Sequence, residues 1–89
     1  MFELEKHYEQ YSDDIYKFIY FLTFNKQLAE DLMQETFIKA FEARSSFRSE
    51  AQVSTWLHAI AKNCTYDYLK KKSNRLFLPF GIMPEPEAV

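Results

Sequence analysis

FRSEAQVSTWLHAIAKNCTYDYLKKK, residues 47–72, decides the fold. Val53, Leu57, Ile60, Cys64 and Tyr68 step by three and four, the period of a helix laid on a core. Trp56 and Ala61 widen that apolar stripe. Ala59, Asn63, Tyr66 and Lys70 fall on a different stripe, with Lys62 beside it. An outward face of one amide, one phenol and several ammonium groups suits nucleic acid better than water alone. Ser49 with Gln52 has the spacing of a capping box and would start this helix, with Ser54 as a rival cap. The helix is expected to run to about Lys72. Lys70, Lys71 and Lys72 complement the negative end of the helix dipole, and the same three charges can meet phosphate.

The segments on either side serve this helix. Arg44 to Glu50 is a polar loop interrupted by Phe47, whose ring either tucks into the core or offers a platform for a base. Before it, roughly Gln27 to Ala43 reads as a helix with Asn25 as N-cap. Its inner face is Leu28, Leu32, Met33, Phe37, Ala40 and Phe41. Asp31, Gln34, Glu35 and Ile38 lie at i, i+3, i+4 and i+7 on one outward stripe. That stripe is either a solvated acidic face or, with Ile38 exposed beside the acids, a contact surface. Residues 3–24 form the first helix, with an apolar stripe of Tyr8, Tyr11, Ile15, Phe18 and Leu22. Tyr16, Ile19, Tyr20 and Phe21 make its second half apolar nearly all round, as if central in a bundle. After Arg75 the sequence LFLPFGIMPEPEAV holds all three prolines and the only glycine, and it reads as a linker or tail.

These elements predict an all-α fold: a compact bundle of three main helices, with a short helical turn possible after the second and an irregular C-terminal tail. Eighty-nine residues suit one small domain, and nine Phe and six Tyr supply core area that so short a chain needs. The single cysteine, Cys64, excludes an internal disulfide and falls on the apolar face as a small hydrophobe. His7 and His58 have no partner at metal-ligand spacing, and His58 is expected at the surface. Neither a metal, a cofactor nor a catalytic constellation is expected. No apolar run reaches membrane-spanning length, so a cytoplasmic protein without membrane insertion is expected. Net charge is −2, yet residues 1–35 carry a balance of −5 and residues 51–75 one of +4. One part can meet phosphate while another repels it or meets a basic partner.

Residues 29–72, AEDLMQETFIKAFEARSSFRSEAQVSTWLHAIAKNCTYDYLKKK, resemble the promoter-melting domain (region 2) of bacterial RNA polymerase sigma factors, most closely the extracytoplasmic-function group. The resemblance rests on an ordered set: D-L-x-Q-E-x-F, an F-R loop, T-W-L-x-x-I-A-x-N, and a D-x-L-K-K-K end. It implies that Asp31, Gln34 and Glu35, with Ile38 beside them, dock on a coiled coil of the polymerase's largest subunit. It implies that Phe47, Arg48, Ser49, Glu50, Ala51 and Gln52 capture a flipped base of the non-template strand. Asn63 would read the minus-ten promoter element. Thr55 and Trp56 would lie near the junction where the duplex opens, Trp56 being largely structural. Lys62, Tyr66, Lys70, Lys71 and Lys72 would follow the DNA backbone. The implied organisation is a region 2 domain over 1–74 and an interdomain linker over 75–89, the family's second DNA-binding domain being absent. Core RNA polymerase, promoter DNA and an anti-sigma protein are the implied partners. A competing reading is a helical protein-interaction module bound by a regulatory partner, without DNA readout of its own.

Overall fold

Asn25 opens the second helix with its own side chain: Oδ1 accepts the Leu28 backbone N–H at 2.9 Å, satisfying one of the donors that a helix start leaves free. The expected cap is therefore formed, and it fixes a connection of only two residues, Phe24 and Asn25. On the other side of that connection Phe24 adopts the left-handed conformation, φ 54°, and its N–H reaches the Tyr20 carbonyl at 2.7 Å. The first helix is closed in this way, with a residue that has a Cβ where glycine is the usual occupant.

The computed structural model describes residues 3–47 and 52–77, with side chains described as far as Lys72. It contains α1 (Leu4–Thr23), α2 (Lys26–Glu42), a 3-10 turn (Arg44–Ser46) and α3 (Val53–Phe77). All three helices pack on one another. The all-α bundle of three main helices is thus observed, together with the short helical turn after α2. The expected tail lies mostly outside the described residues. Ile15 and Ile19 from α1, Leu32, Met33 and Phe37 from α2, and Leu57 from α3 fill the centre. Small residues are buried beside them: Ala29, Thr36 and Ala40 on α2, and Ala61, Cys64 and Thr65 on α3. The two threonine hydroxyls are satisfied within their own helices. Thr36 donates to the Leu32 carbonyl at 2.7 Å and Thr65 to the Ala61 carbonyl at 2.8 Å.

Several expectations shift. In α1 the fully buried pair is Ile15, which belongs to the expected stripe, and Ile19, which does not, so the inner line is turned partly away from Tyr11 and Phe18. Compact isoleucines fit the junction of three helices. Tyr11, Tyr16, Phe18 and Tyr20 pack around it only partly buried, as rings with a polar tip or a large area tend to do. The second half of α1 is not buried all round, because Phe21 is 71% exposed. Phe41, expected on the inner face of α2, is 43% exposed in the last turn. There the Arg44 guanidinium covers its ring at 3.9 Å, and Nη1 caps its carbonyl at 2.7 Å. Neither expected cap begins α3. The helix starts at Val53, with the Gln52 carbonyl accepting the Trp56 N–H at 3.1 Å. Ser54 lies inside the first turn, and Ser49 is outside the described residues. At the other end α3 continues past the expected stop at Lys72 to Phe77. His58 is half-buried rather than a surface residue: Phe18 packs edge-on to its ring at 5.1 Å, and Nδ1 lies 2.8 Å from the Ser54 carbonyl oxygen.

Candidate nucleic-acid interface

The period of α2 puts Asp31, Gln34, Glu35 and Ile38 on its outward side, and all four are exposed. They line a shallow concavity of about 330 Å3 together with Lys39 and Glu42. Two of the carboxylates already have partners on the helix. Gln27 Nε2 donates to Asp31 Oδ1 at 3.1 Å, and Lys39 Nζ stands 3.7 Å from Glu35 Oε2. Pairs this exposed contribute only tenths of a kcal/mol, so both acids remain available to a basic partner. Ile38 is 58% exposed and borders a second, more apolar concavity of about 540 Å3. Leu4, Tyr8 and Phe37 supply its floor, with Glu5, Glu9 and Gln34 around them. Tyr8 meets Phe37 edge-on at 5.0 Å. The sequence reading assigned Tyr8 to the core and so missed its place in this concavity.

On α3, Thr55, Lys62, Asn63, Tyr66, Lys70, Lys71 and Lys72 are all exposed. At 3.6 residues per turn the first five fall within an arc of about 100°, so they make one stripe around Ala59. Lys71 and Lys72 turn away from it. They occupy positions that face the core upstream but are exposed here, so α3 has run past the bundle at this point. Asn63 sits at the edge of the stripe nearest α2. It lines a concavity of about 260 Å3 with Lys39, Ala43, Ile60, Cys64 and Asp67. Lys39 and Asp67 were not singled out in the sequence. The i+4 spacings from Glu35 to Lys39 and from Asn63 to Asp67 were the available signal. Cys64 is 6% exposed at the base of this groove. Burial pushes its thiol pKa up. The nearby charges of Glu35 and Asp67 push the same way, while the Thr36 hydroxyl and Lys39 act against them.

At the start of α3, Phe47 packs on Trp56 with ring centroids 4.9 Å apart and planes tilted by 49°. Both rings are partly buried, so Phe47 folds back toward the bundle. Gln52 is exposed just before the helix. Arg48, Ser49, Glu50 and Ala51 lie outside the described residues. Among the described residues no group of three or more His, Cys, Asp or Glu could hold a metal ion.

Two faces on adjacent helices, one acidic and one carrying an amide among basic and aromatic groups, are thus joined along α2 and α3. A family model, sigma-70 region 2, matches residues 7–75, which covers most of α1, all of α2 and nearly all of α3. The chain belongs to the sigma-70 region 2 family. Its relatives include the ECF RNA polymerase sigma factor SigM of Bacillus subtilis, 38% identical over 68 residues, covering 76% of this chain and 41% of SigM. SigW of the same organism is 41% identical over 68 residues, covering 76% of this chain and 36% of SigW. BldN of Streptomyces coelicolor is 36% identical over 83 residues, covering 92% of this chain and 31% of BldN. This is a region 2 domain of the ECF sigma-factor type, and the chain spans less than half the length of these curated relatives. No solved structure matches it significantly.

Proposed function

We propose that this region 2 domain acts in transcription initiation, docking on core RNA polymerase through α2 and recognising and melting the minus-ten element through α3 and the loop before it. The observation that carries this reading is the pair of separate exposed faces. A basic coiled coil of the polymerase's largest subunit finds Asp31, Gln34 and Glu35, with Ile38 as an apolar contact. Non-template DNA finds Asn63, whose amide offers both donor and acceptor to a base edge. Lys62, Tyr66 and Lys70 lie on the same stripe and take the backbone. Lys71 and Lys72 add charge from the overhanging end of α3. Thr55 stands near the opening junction, and the flipped base is taken by Arg48, Ser49, Glu50, Ala51 and Gln52, with Phe47 anchoring the start of that loop on Trp56.

Extruding a base costs a few kcal/mol, recovered by stacking and edge hydrogen bonds in a pocket. Phosphate contacts add affinity without sequence information. The isolated domain, net charge −2, binds DNA weakly, and docking supplies most of the affinity. The activity is one of binding rather than catalysis, and its site is the cytoplasm, where the polymerase works. Among the described residues no helix is long and apolar enough to cross a membrane.

A regulatory partner of the anti-sigma kind is a second reading. The apolar concavity beside Ile38 favours it, because a protein filling that concavity would also cover the docking stripe.

The test is binding of the purified chain to single-stranded minus-ten oligonucleotides of varied sequence, with and without core polymerase. Asn63→Ala is expected to weaken and flatten the sequence preference by about 1–3 kcal/mol while leaving polymerase binding intact. Glu35→Lys is expected to do the reverse. Loss of polymerase binding in Asn63→Ala, or normal binding in Glu35→Lys, contradicts the assigned roles.

A further inference from the structure

Lys39 is the one described residue that lines both the docking concavity of α2 and the groove that holds Asn63. Its ammonium lies 3.7 Å from the Glu35 carboxylate, with both side chains about half exposed. Four positions of helix separate them, so the tether runs along the docking face and holds the charge there. On the other side the groove contains Asp67, whose carboxylate opposes an approaching phosphate, and Asn63 itself. In this arrangement the ammonium sits at the border of the two concavities and is drawn toward Glu35, which leaves Asp67 only partly offset.

We propose that Lys39 couples the two faces: a cationic partner that takes Glu35 releases the Lys39 ammonium into the Asn63 groove, where it offsets Asp67 and favours the DNA strand. This rests on the functional reading above and adds its regulation. The chemistry requires no rearrangement of the backbone. One exposed ion pair is exchanged for another, and exposed pairs are weak enough to exchange readily. The ammonium, already at the edge of the groove, moves toward Asp67 at the position where a strand would pass. Coupling of this kind is reciprocal, so DNA held in the groove also leaves Glu35 freer for the polymerase.

The experiment removes the tether without the partner. The full 89-residue chain, as wild type and variants, is titrated with the best-binding fluorescent single-stranded oligonucleotide from the minus-ten set, at one fixed salt concentration and without polymerase. Glu35→Gln frees Lys39 and is expected to bind about two- to five-fold more tightly, the range that one exposed ion pair provides. Glu30→Gln makes the same charge change on the same helix away from Lys39, and is expected to gain less than half as much. Adding Lys39→Gln to Glu35→Gln is expected to remove the gain. Equal gains in Glu30→Gln and Glu35→Gln, or a gain that survives in the double variant, overturn the proposal. Asn63→Ala in the Glu35→Gln background separates the two levels. If it leaves DNA affinity unchanged, the groove does not meet DNA and the functional reading fails with the coupling. If it lowers affinity while the Lys39 cycle shows no coupling, only the coupling is wrong.

Discussion

Phe24 offers a measurement of backbone strain that can be isolated from side-chain contacts. It is the one described non-glycine residue with positive φ, at 54°. Its ring is 72% exposed and meets Tyr20 edge-on at 5.8 Å and Phe21 at 6.3 Å. Phe24→Ala and Phe24→Gly both delete these ring contacts, so they lose the same packing. They differ in the backbone. A residue with a Cβ costs about 1–2 kcal/mol in the left-handed region, and glycine does not. Glycine also widens the unfolded ensemble, which takes back about 0.4–1 kcal/mol. The glycine variant should therefore be more stable than the alanine variant by about 0.5–1 kcal/mol, a gap of roughly 3–6 °C in Tm for a domain of this size. Thermal and urea denaturation followed by far-UV circular dichroism read the gap directly. An alanine variant as stable as the glycine variant, or more so, would refute the claim that the α1–α2 connection stores strain at this position.

Asn25→Ala removes the acceptor for the Leu28 N–H and should cost about 1 kcal/mol, with Asn25→Asp retaining most of the stability; urea midpoints of the three proteins check the order. For Cys64 the sign follows from its raised pKa. The folded state prefers the neutral thiol, so that contribution is fully present below the ordinary thiol pKa of the unfolded chain. It is lost as pH rises through the higher folded value. Stability measured across that window should fall more steeply in the wild type than in Cys64→Ala, and parallel curves would remove the buried thiol as a cause.

Periodicity made α2 legible, because a helix exposed on one side carries its polar and apolar residues on opposite faces. The outward positions of Asp31, Gln34, Glu35 and Ile38 follow from that pattern alone, and the Asn25 cap from the residue type that precedes the helix. The face of α1 was harder to read. When nearly every position is apolar, amphipathicity no longer indicates direction, and shape decides that Ile15 and Ile19 go inside while Phe21 stays out. The far end of α3 was placed too early because Lys70–Lys72 resemble a helix terminus, although the next proline in the sequence is Pro79. In the candidate site, Asn63 stood out as an amide among cations and aromatics. Its companions Lys39 and Asp67 did not, since a groove between two helices belongs to neither helix's own period. The contact of Phe18 with His58 escaped for the same reason.

The small buried residues of α2 and α3 bear on how the two faces are spaced. Ala40 on one side and Ala61 on the other have no exposed surface, so neither can touch a partner. Interiors this densely packed transmit a change in volume instead of absorbing it. A methyl or ethyl group added at either alanine would push the helices apart and carry Asn63 away from the acidic stripe, without altering a single exposed atom. The separation between the two working faces is thus a dimension of the molecule, held by side chains that take no part in recognition, and it can be retuned from inside.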